Sequence, residues 1–219
     1  MQVVYLHGFA SSPQSTKATF LADHLRPHGV ELVCPDLNLP DFRTLTMTRM
    51  LAQLASVVQA LPPELPPEPV TLIGSSLGGT LAILASSSLA DRVECLVLLA
   101  PAVMFPRPGH HLLPPERLER WRQDATMPFF HYADGVERLL DFTFYEDSLR
   151  YDAFEAVVPQ PTLIFQGLRD ASVDYRSVEA FASARSNVTL SLLDDDHQLS
   201  ASLSRIWVAV EEFLGLTYQ

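Results

Sequence analysis

Short apolar runs alternate with longer amphipathic segments along most of this 219-residue chain. The apolar runs predict six strands, at residues 2–6, 31–35, 70–74, 93–100, 161–166 and 188–193. The amphipathic segments predict helices at residues 15–28, 45–61, 77–89, 175–185 and 199–214. Because uninterrupted apolar runs suit strands that are buried on both faces, we predict an α/β fold: a six-stranded, mostly parallel sheet with helices on both sides. Its spatial order would be 2-1-3-4-5-6 in strand numbers, which brings the loops after the strands together at the carboxyl edge of the sheet.

Two stretches interrupt the alternation. Residues 61–70 read LPPELPPEPV, and so many prolines exclude a helix or a central strand. Since a strand follows at once, we interpret this stretch as a surface loop rather than as a linker between domains. Residues 102–159 contain two helical patches but no clear strand, which predicts a small helical cap inserted between the fourth and fifth strands. We therefore expect one domain over residues 1–219, with a cap insertion at about 102–159.

The charge of the chain argues against two classes of partner. Its formal net charge is −11, whereas binding a phosphate backbone needs clustered Lys and Arg, so we exclude nucleic acid. An anionic membrane is disfavoured for the same reason. The first residues, MQVVYLHGF, lack the features of a signal peptide, and the longest uncharged apolar run, residues 95–105, is too short to span a bilayer. We therefore expect a cytoplasmic protein that does not bind membranes.

The sequence GSSLG at residues 74–78 matches the pattern G-x-S-x-G. It follows VTLI, a predicted strand, and precedes LGGTLAILA, a predicted helix, which is the strand–turn–helix setting that the pattern requires. In such a turn the central serine has a strained conformation, and glycines two residues away on either side leave room for it. The serine hydroxyl then lies at the N-terminus of a helix, clear of the sheet. The motif therefore predicts that Ser76 is a nucleophile.

A serine hydroxyl needs a base that removes its proton. Of the seven histidines, only His197 follows the last predicted strand, where a loop would reach the carboxyl edge of the sheet. A carboxylate should orient this histidine, and Asp170 lies four residues beyond the preceding predicted strand. Asp174 is the nearest alternative, because it follows the same strand. The acidic run at residues 194–196 adjoins the histidine in sequence, and we interpret it as the charges of a solvated loop.

Two backbone N–H groups should stabilise the oxyanion that forms during acyl transfer. One would belong to Leu77, the residue after the nucleophile. The other would come from the loop after the first strand, and there we choose Phe9. His7 in the same loop is interpreted as a buried residue that braces the loop through hydrogen bonds.

Four motifs together resemble the α/β-hydrolase superfamily: YLHGF, the turn around Ser76, GLRDASVD and DDH, in the order serine, acid, histidine. More narrowly, HGFASSPQSTKA at residues 7–18 and VDYRSVEAFASAR at residues 173–185 resemble the small bacterial esterases of the YqiA-like family. The similarity covers most of the chain outside residues 102–159. The string at 7–18 is its most specific part and includes four polar residues to which we assign no role beyond holding the loop and capping the next helix: Ser11, Ser12, Ser15 and Lys17.

The resemblance implies a three-layer αβα sandwich, no metal and no organic cofactor, and a small-molecule acyl ester or thioester as the substrate of a hydrolase. It also implies catalytic roles for Ser76, Asp170 and His197, with Phe9 and Leu77 as oxyanion donors. The insertion is longer than in compact members of the family, and its aromatic side chains either line an acyl pocket or form the core of the cap. Three alternatives stay open: an acyltransferase with the same residues, a peptidase, and an inactive hydrolase fold that serves as a binding module.

Overall fold

The computed structural model describes residues 1–61, 68–110 and 113–216. Within these residues the chain forms eight strands: β1 (Gln2–Leu6), β2 (Leu32–Val33), β3 (Val70–Ser75), β4 (Val93–Leu99), β5 (Thr126–His131), β6 (Val136–Asp141), β7 (Thr162–Gly167) and β8 (Val188–Leu193). The same residues form seven α-helices: α1 (Thr16–Leu25), α2 (Met47–Ala60), α3 (Leu77–Ser86), α4 (Pro115–Asp124), α5 (Thr143–Ser148), α6 (Tyr175–Ser183) and α7 (Leu203–Phe213). The proline-rich loop predicted at residues 61–70 falls largely on residues 62–67, which lie outside the described residues.

Six of the strands form one sheet in the order β2-β1-β3-β4-β7-β8, and every pair of neighbours is parallel. The predicted spatial order is confirmed, because β7 and β8 are the fifth and sixth strands of this sheet along the chain. The strand predicted at residues 31–35 is shorter than expected, since β2 has two residues at the edge of the sheet.

Alternate residues of the central strands enter two separate cores. On β1, Val4 and Leu6 belong to the core that α2, α3 and α6 cover. Val3 and Tyr5 of the same strand belong to the core that α1 and α7 cover. The helices match this arrangement, and α2 buries four side chains at helical spacing: Met47, Met50, Leu54 and Val58. Helices therefore lie on both faces of the sheet, and the three-layer αβα sandwich is confirmed.

The segment between β4 and β7 differs from the prediction of a helical cap. It contains α4 and α5, but β5 and β6 form an antiparallel hairpin between these two helices, so the prediction of a purely helical insertion is wrong. The hairpin is hard to find because its outward side also carries apolar residues, with Phe130 and Leu139 both exposed, so the alternation of a half-buried strand is weak. One turn signal is present, since Asp134-Gly135 stands between the strands and Gly135 has a φ of 67°.

Contacts at both ends of the hairpin attach it to the body of the protein. The Tyr132 N–H donates to the Ala10 carbonyl at 2.8 Å, in the loop that follows β1. At the other end, the Asp141 N–H donates to the Arg43 carbonyl at 2.9 Å, and the side chains of the same two residues form an ion pair. These contacts hold the insertion against loops at the carboxyl edge of the sheet.

Candidate active site

Ser76 lies in the sharp turn between β3 and α3. Its φ is 53° and its ψ is −114°, a backbone conformation that is strained for a residue with a side chain. The Ser76 N–H donates to the Leu99 carbonyl at 2.9 Å, and the Ser76 carbonyl accepts the Ala102 N–H at 3.2 Å. These bonds tie the turn to the end of β4 and to the start of the insertion. The strand–turn–helix setting predicted from the sequence is therefore present.

Two glycines make this turn possible. A Cβ atom on Gly78 would lie 2.0 Å from the Leu6 carbonyl oxygen, and one on Gly74 would lie 2.5 Å from the Gly78 carbonyl oxygen. Real Cβ contacts are essentially never this short, so β1, β3 and α3 approach one another backbone to backbone. The two glycines, each two residues from Ser76, therefore leave the room in the turn that the sequence analysis predicts.

The structure brings Ser76, His197 and Asp170 into one chain of contacts. Ser76 Oγ and His197 Nε2 are 3.1 Å apart, and His197 Nδ1 and Asp170 Oδ2 are 2.7 Å apart. With a proton on Nδ1, the histidine ring donates to Asp170, and its Nε2 accepts from the Ser76 hydroxyl. The Asp170 side chain is fully buried, whereas that of His197 is 21% exposed. An accessible base in contact with a serine hydroxyl can take part in acyl transfer.

Hydrogen-bond donors hold both carboxylate oxygens of Asp170. Oδ1 accepts the backbone N–H groups of Ser172 and Val173, each at 2.8 Å. Oδ2 accepts Gln166 Nε2 at 2.9 Å in addition to His197. Burial by itself raises the pKa of Asp170, but these donors outweigh burial, the His197 ring most of all, so the pKa lies below its ordinary value. The group therefore stays ionised at the point where it must orient the histidine and stabilise its cation.

The other candidate carboxylates have different contacts. Asp174 caps α6, because its Oδ1 accepts the Arg176 N–H at 3.0 Å. In the acidic run after β8, Asp195 is buried, so the interpretation of that run as a solvated loop is wrong for this residue. Asp195 Oδ1 accepts the Asp196 N–H at 2.8 Å, which stabilises the turn that carries the histidine.

The loop after β1 lies beside Ser76, since a Cβ atom on Gly8 would be 3.4 Å from the Ser76 Cβ. His7 braces this loop as predicted: its Nδ1 donates to the Gly8 carbonyl at 2.9 Å, and its Nε2 accepts the Leu37 N–H at 3.0 Å. Burial lowers the pKa of His7, which keeps the ring neutral and able to accept at Nε2. The Gly8 carbonyl and the Phe9 N–H belong to one planar peptide and point in opposite directions. The hydrogen bond to Gly8 therefore also orients the Phe9 N–H.

Phe9 and Leu77 carry the two N–H groups that the sequence analysis selects. Across residues 1–61, 68–110 and 113–216, neither group donates to an acceptor of the protein itself. Leu77 is the first residue of α3, where N–H groups have no partner within the helix. Donors without a protein partner next to a serine hydroxyl can bind an oxyanion.

The sequence analysis missed two polar side chains that lie beneath this site. Gln166, the last polar residue of an apolar strand, donates to the carboxylate of Asp170. Tyr5 is fully buried on β1, and its hydroxyl interacts with the side chains of Ser15 and Ser75. A polar group in an otherwise apolar strand is the signal that could have found both residues, because most buried polar side chains have a hydrogen-bond partner.

The aromatic side chains of the insertion pack mainly against one another. Trp121 is fully buried, and its ring meets that of Phe129 edge-on at a centroid distance of 5.0 Å. Phe129 and Phe144 also contact the ring of Phe9, at centroid distances of 5.4 and 5.5 Å. Of the two interpretations given to these aromatics, Trp121 fits the core of the insertion. Phe9 joins the cluster to the loop beside the serine.

In the described part of the chain, no three His, Cys, Asp or Glu side chains are grouped so that they could hold a metal ion. Nor does any helix in those residues have the length and apolar character that crossing a bilayer requires.

Comparisons with known sequences agree with this architecture. A family model described as an uncharacterised protein family, UPF0227, matches residues 2–214. A protein of Bacillus subtilis (strain 168), provisionally named as a 2-succinyl-6-hydroxy-2,4-cyclohexadiene-1-carboxylate synthase, is 34% identical over 147 residues. That alignment covers 64% of this chain and 48% of the relative, so the match spans about half of the relative's length.

Solved structures share the fold at low sequence identity. Est1E from Butyrivibrio proteoclasticus, with ferulic acid bound, superposes with a TM-score of 0.83 at 23% identity, over 97% of this chain and 87% of Est1E. Alpha/beta hydrolase domain-containing protein 10 from mouse superposes with a TM-score of 0.79 at 18% identity, over 98% of this chain and 90% of the mouse chain. These likenesses show the α/β-hydrolase fold.

Proposed function

This chain belongs to the YqiA-like family, UPF0227, and from that premise and its α/β-hydrolase fold we propose that it is a serine hydrolase of carboxylic esters or acyl thioesters. Ser76 is the nucleophile, His197 is the general base and then the general acid, and Asp170 orients His197. The substrate is a small-molecule acyl ester or thioester, and we expect the reaction to need no metal and no organic cofactor.

The observation that carries this proposal is the chain of contacts from Asp170 through His197 to Ser76, at 2.7 and 3.1 Å. The three residues belong to three different loops, and each contact engages a different nitrogen of the histidine ring. That order of contacts suits removal of the serine proton. The strained backbone of Ser76 is a second support, because strain of this kind concentrates at functional sites.

Acylation begins when His197 Nε2 removes the hydroxyl proton of Ser76 and Ser76 Oγ forms a bond to the substrate carbonyl carbon. The carbonyl oxygen becomes negative, and the N–H groups of Phe9 and Leu77 stabilise it. When the bond to the leaving oxygen or sulfur breaks, His197 returns the proton to that atom, which departs as an alcohol or a thiol. The carboxylate of Asp170 stabilises the imidazolium between these two proton transfers.

Deacylation repeats these steps with water. His197 removes a proton from a water molecule, whose oxygen attacks the acyl carbon on Ser76, and the returning proton restores the serine hydroxyl. The product is a carboxylic acid. Ferulic acid, which is bound to Est1E, belongs to this chemical class.

We assign residues 102–159 to a cap over this site within a single domain of residues 1–219. Two hydrogen bonds support this assignment: Tyr132 N–H to the Ala10 carbonyl, and Ala102 N–H to the Ser76 carbonyl. We expect the acyl group to bind between this cap and the loop that carries Phe9.

An acyltransferase is the alternative that uses the same residues. It would form the same acyl-enzyme on Ser76 but pass the acyl group to an alcohol or a thiol instead of water. Excess acceptor alcohol distinguishes the two activities, because an acyltransferase then produces a new ester in place of the acid. An inactive binding module would form no acyl-enzyme at all.

The experiment that tests the proposal is labelling with a fluorophosphonate, followed by mapping of the adduct by mass spectrometry. An activated serine attacks the phosphorus atom and displaces fluoride, so no substrate needs to be guessed. We expect a single adduct on Ser76 in the folded protein and none after heat unfolding.

Two variants complete this experiment. Ser76→Ala should give no adduct, whereas Ser183→Ala, which changes an exposed serine at the end of α6, should be labelled like the wild type. An adduct on another residue, or no adduct on the folded wild type, would contradict the proposal and favour the binding module.

A further inference from the structure

Lys17 is the only lysine in the chain, whose fourteen other Lys or Arg side chains are all arginines. The residue is 9% exposed, although lysine is rarely buried without a partner. It is also the second residue of α1, in the first turn of the helix, where the helix dipole disfavours a positive charge. Neither burial nor the helix explains a lysine at this position.

The ammonium group of Lys17 reaches the turn that carries His197. Lys17 Nζ donates to the Gln198 carbonyl at 2.9 Å, across 181 residues of sequence. The Gln198 N–H donates to Asp196 Oδ1 at 2.8 Å. Charged side chains therefore hold both the N–H and the carbonyl of Gln198, the residue after His197. Because these bonds hold the backbone next to His197, they help to set the direction in which its ring reaches Ser76.

We propose that Lys17 is a positioning residue for His197: it holds the Gln198 carbonyl and supplies a positive charge among the carboxylates around the histidine. Lys17 acts through His197 rather than on the substrate, so the inference rests on the function proposed for Ser76.

Three carboxylates face Lys17: Asp170 in the turn after β7, and Asp195 and Asp196 in the loop after β8. Burial lowers the pKa of Lys17 from an ordinary 10.5 to about 8, and the three carboxylates oppose this shift only in part. The folded protein therefore binds the proton of the Lys17 ammonium group less tightly than the unfolded chain does. The ammonium form destabilises the fold below pH 8, and this penalty disappears as the pH rises from 8 towards 10.5.

A positive charge has a use at this site that offsets its penalty. His197 must be neutral to accept the proton of Ser76, and it becomes an imidazolium only during the reaction. The ammonium of Lys17 offsets part of the negative charge of Asp170, Asp195 and Asp196, so its removal should favour the imidazolium over the neutral base. Lysine suits this position better than arginine, because a compact ammonium can serve a single carbonyl whereas a guanidinium presents five donors in a rigid fork.

The central test is Lys17→Met, which keeps an unbranched apolar side chain and removes the charge and the donor. We expect kcat for p-nitrophenyl butyrate to fall about 10- to 100-fold with little change in KM, because the base is misplaced while substrate contacts remain. We also expect the acid limb of the kcat/KM profile to move to higher pH, because the carboxylates around His197 lose their cation. The thermal midpoint should stay equal or rise, because a buried charge is removed.

Two further variants separate charge from structure. Lys17→Arg keeps a positive charge, so its acid limb should stay at the wild-type pH even if kcat falls. Arg26→Met is the matched control, since it removes an exposed cation, ion-paired with Asp23, from the other end of the same helix. It should leave kcat, KM and the acid limb unchanged.

Two outcomes for Lys17→Met overturn the proposal. One is a wild-type kcat with a wild-type acid limb. The other is a lower kcat with an unmoved acid limb and a lower thermal midpoint, because that result indicates a purely structural role. The proposed function fails separately, when the wild type itself shows no turnover and no adduct on Ser76.

A second measurement tests the proposal if Lys17→Met does not fold. Because the chain has one lysine, wild-type protein that contains [ε-13C]lysine gives one side-chain NMR signal from that residue. We expect this signal to titrate near pH 8 and to shift when Ser76 reacts with the fluorophosphonate. A signal that the adduct leaves unchanged overturns the proposal.

Discussion

Replacing Ser76 by glycine should abolish turnover and stabilise the fold at the same time. The φ of 53° and ψ of −114° place Ser76 where a residue with a Cβ atom carries strain of ~1–3 kcal/mol. Glycine lacks the Cβ atom and adopts this conformation freely. The substitution also increases the entropy of the unfolded chain, which costs ~0.4–1 kcal/mol. The balance predicts a gain of ~1 kcal/mol in the free energy of unfolding.

Ser76→Ala is the matched comparison for this prediction. Alanine removes the same hydroxyl and the same contact with His197, but it keeps the Cβ atom and therefore the backbone strain. Both variants should lose at least ~10³-fold in turnover, as removal of a catalytic serine does. The difference in stability between the two variants then isolates the backbone contribution.

Urea unfolding followed by circular dichroism measures this difference, and thermal unfolding checks it independently. A difference of ~1 kcal/mol corresponds to ~2–4 °C in the thermal midpoint for a chain of this size. We expect the glycine variant to be the more stable of the two. If its free energy of unfolding is equal to or lower than that of Ser76→Ala, the turn is not strained and the link between its geometry and its function is refuted.

Two further pairs of substitutions test other parts of the site. Asp170→Asn should reduce kcat by ~10⁴-fold, as loss of the histidine's carboxylate does. Asp174→Asn alters the cap of α6 and should leave kcat close to the wild type; the reverse ranking in steady-state assays would move the acid role to Asp174. Gly78→Ala should destabilise the fold by ~3 kcal/mol or more, because the new Cβ would lie 2.0 Å from the Leu6 carbonyl oxygen. Gly109→Ala, in open space at a positive φ, should cost ~1 kcal/mol, and equal losses in urea unfolding would contradict the close backbone packing.

The parts of this fold that depend on neighbours along the chain could be predicted from the sequence. Continuous apolar runs predicted the buried strands β3, β4 and β7, because a strand covered on both faces needs apolar residues at every position. The turn at Ser76 could also be predicted, since its glycines and its flanking strand and helix are contiguous in sequence.

The hairpin of β5 and β6 could not be predicted in the same way. Its inward residues pack against elements that are distant in sequence, such as Phe9 against Phe129. Its outward residues are partly apolar, so the two-residue period that marks a half-buried strand is blurred. Only the turn between its strands left a local signal.

The contrast between Asp170 and Asp174 illustrates what tertiary structure adds. Both carboxylates follow the same strand within a few residues, and the sequence alone left Asp174 open as the alternative. In the fold, Asp170 folds back onto the N–H groups of Ser172 and Val173 and meets His197, whereas Asp174 caps a helix. Because Asp170 and Asp174 are only four residues apart, their positions in the sequence place both of them near the end of β7. Only the backbone path of the turn decides which carboxylate meets His197.

By itself, the sequence determined which segments form the strands of the sheet, the turn of the nucleophile and the loops from which a base and an acid could come. These features depend on residue periodicity and on local backbone sterics, which any chain with this pattern shares. The tertiary structure alone decided that Lys17 meets the carbonyl of Gln198 and that the Phe9 ring joins the insertion. These contacts join segments far apart in sequence, and their distances are set by how helices and loops pack on the sheet, which no local pattern encodes.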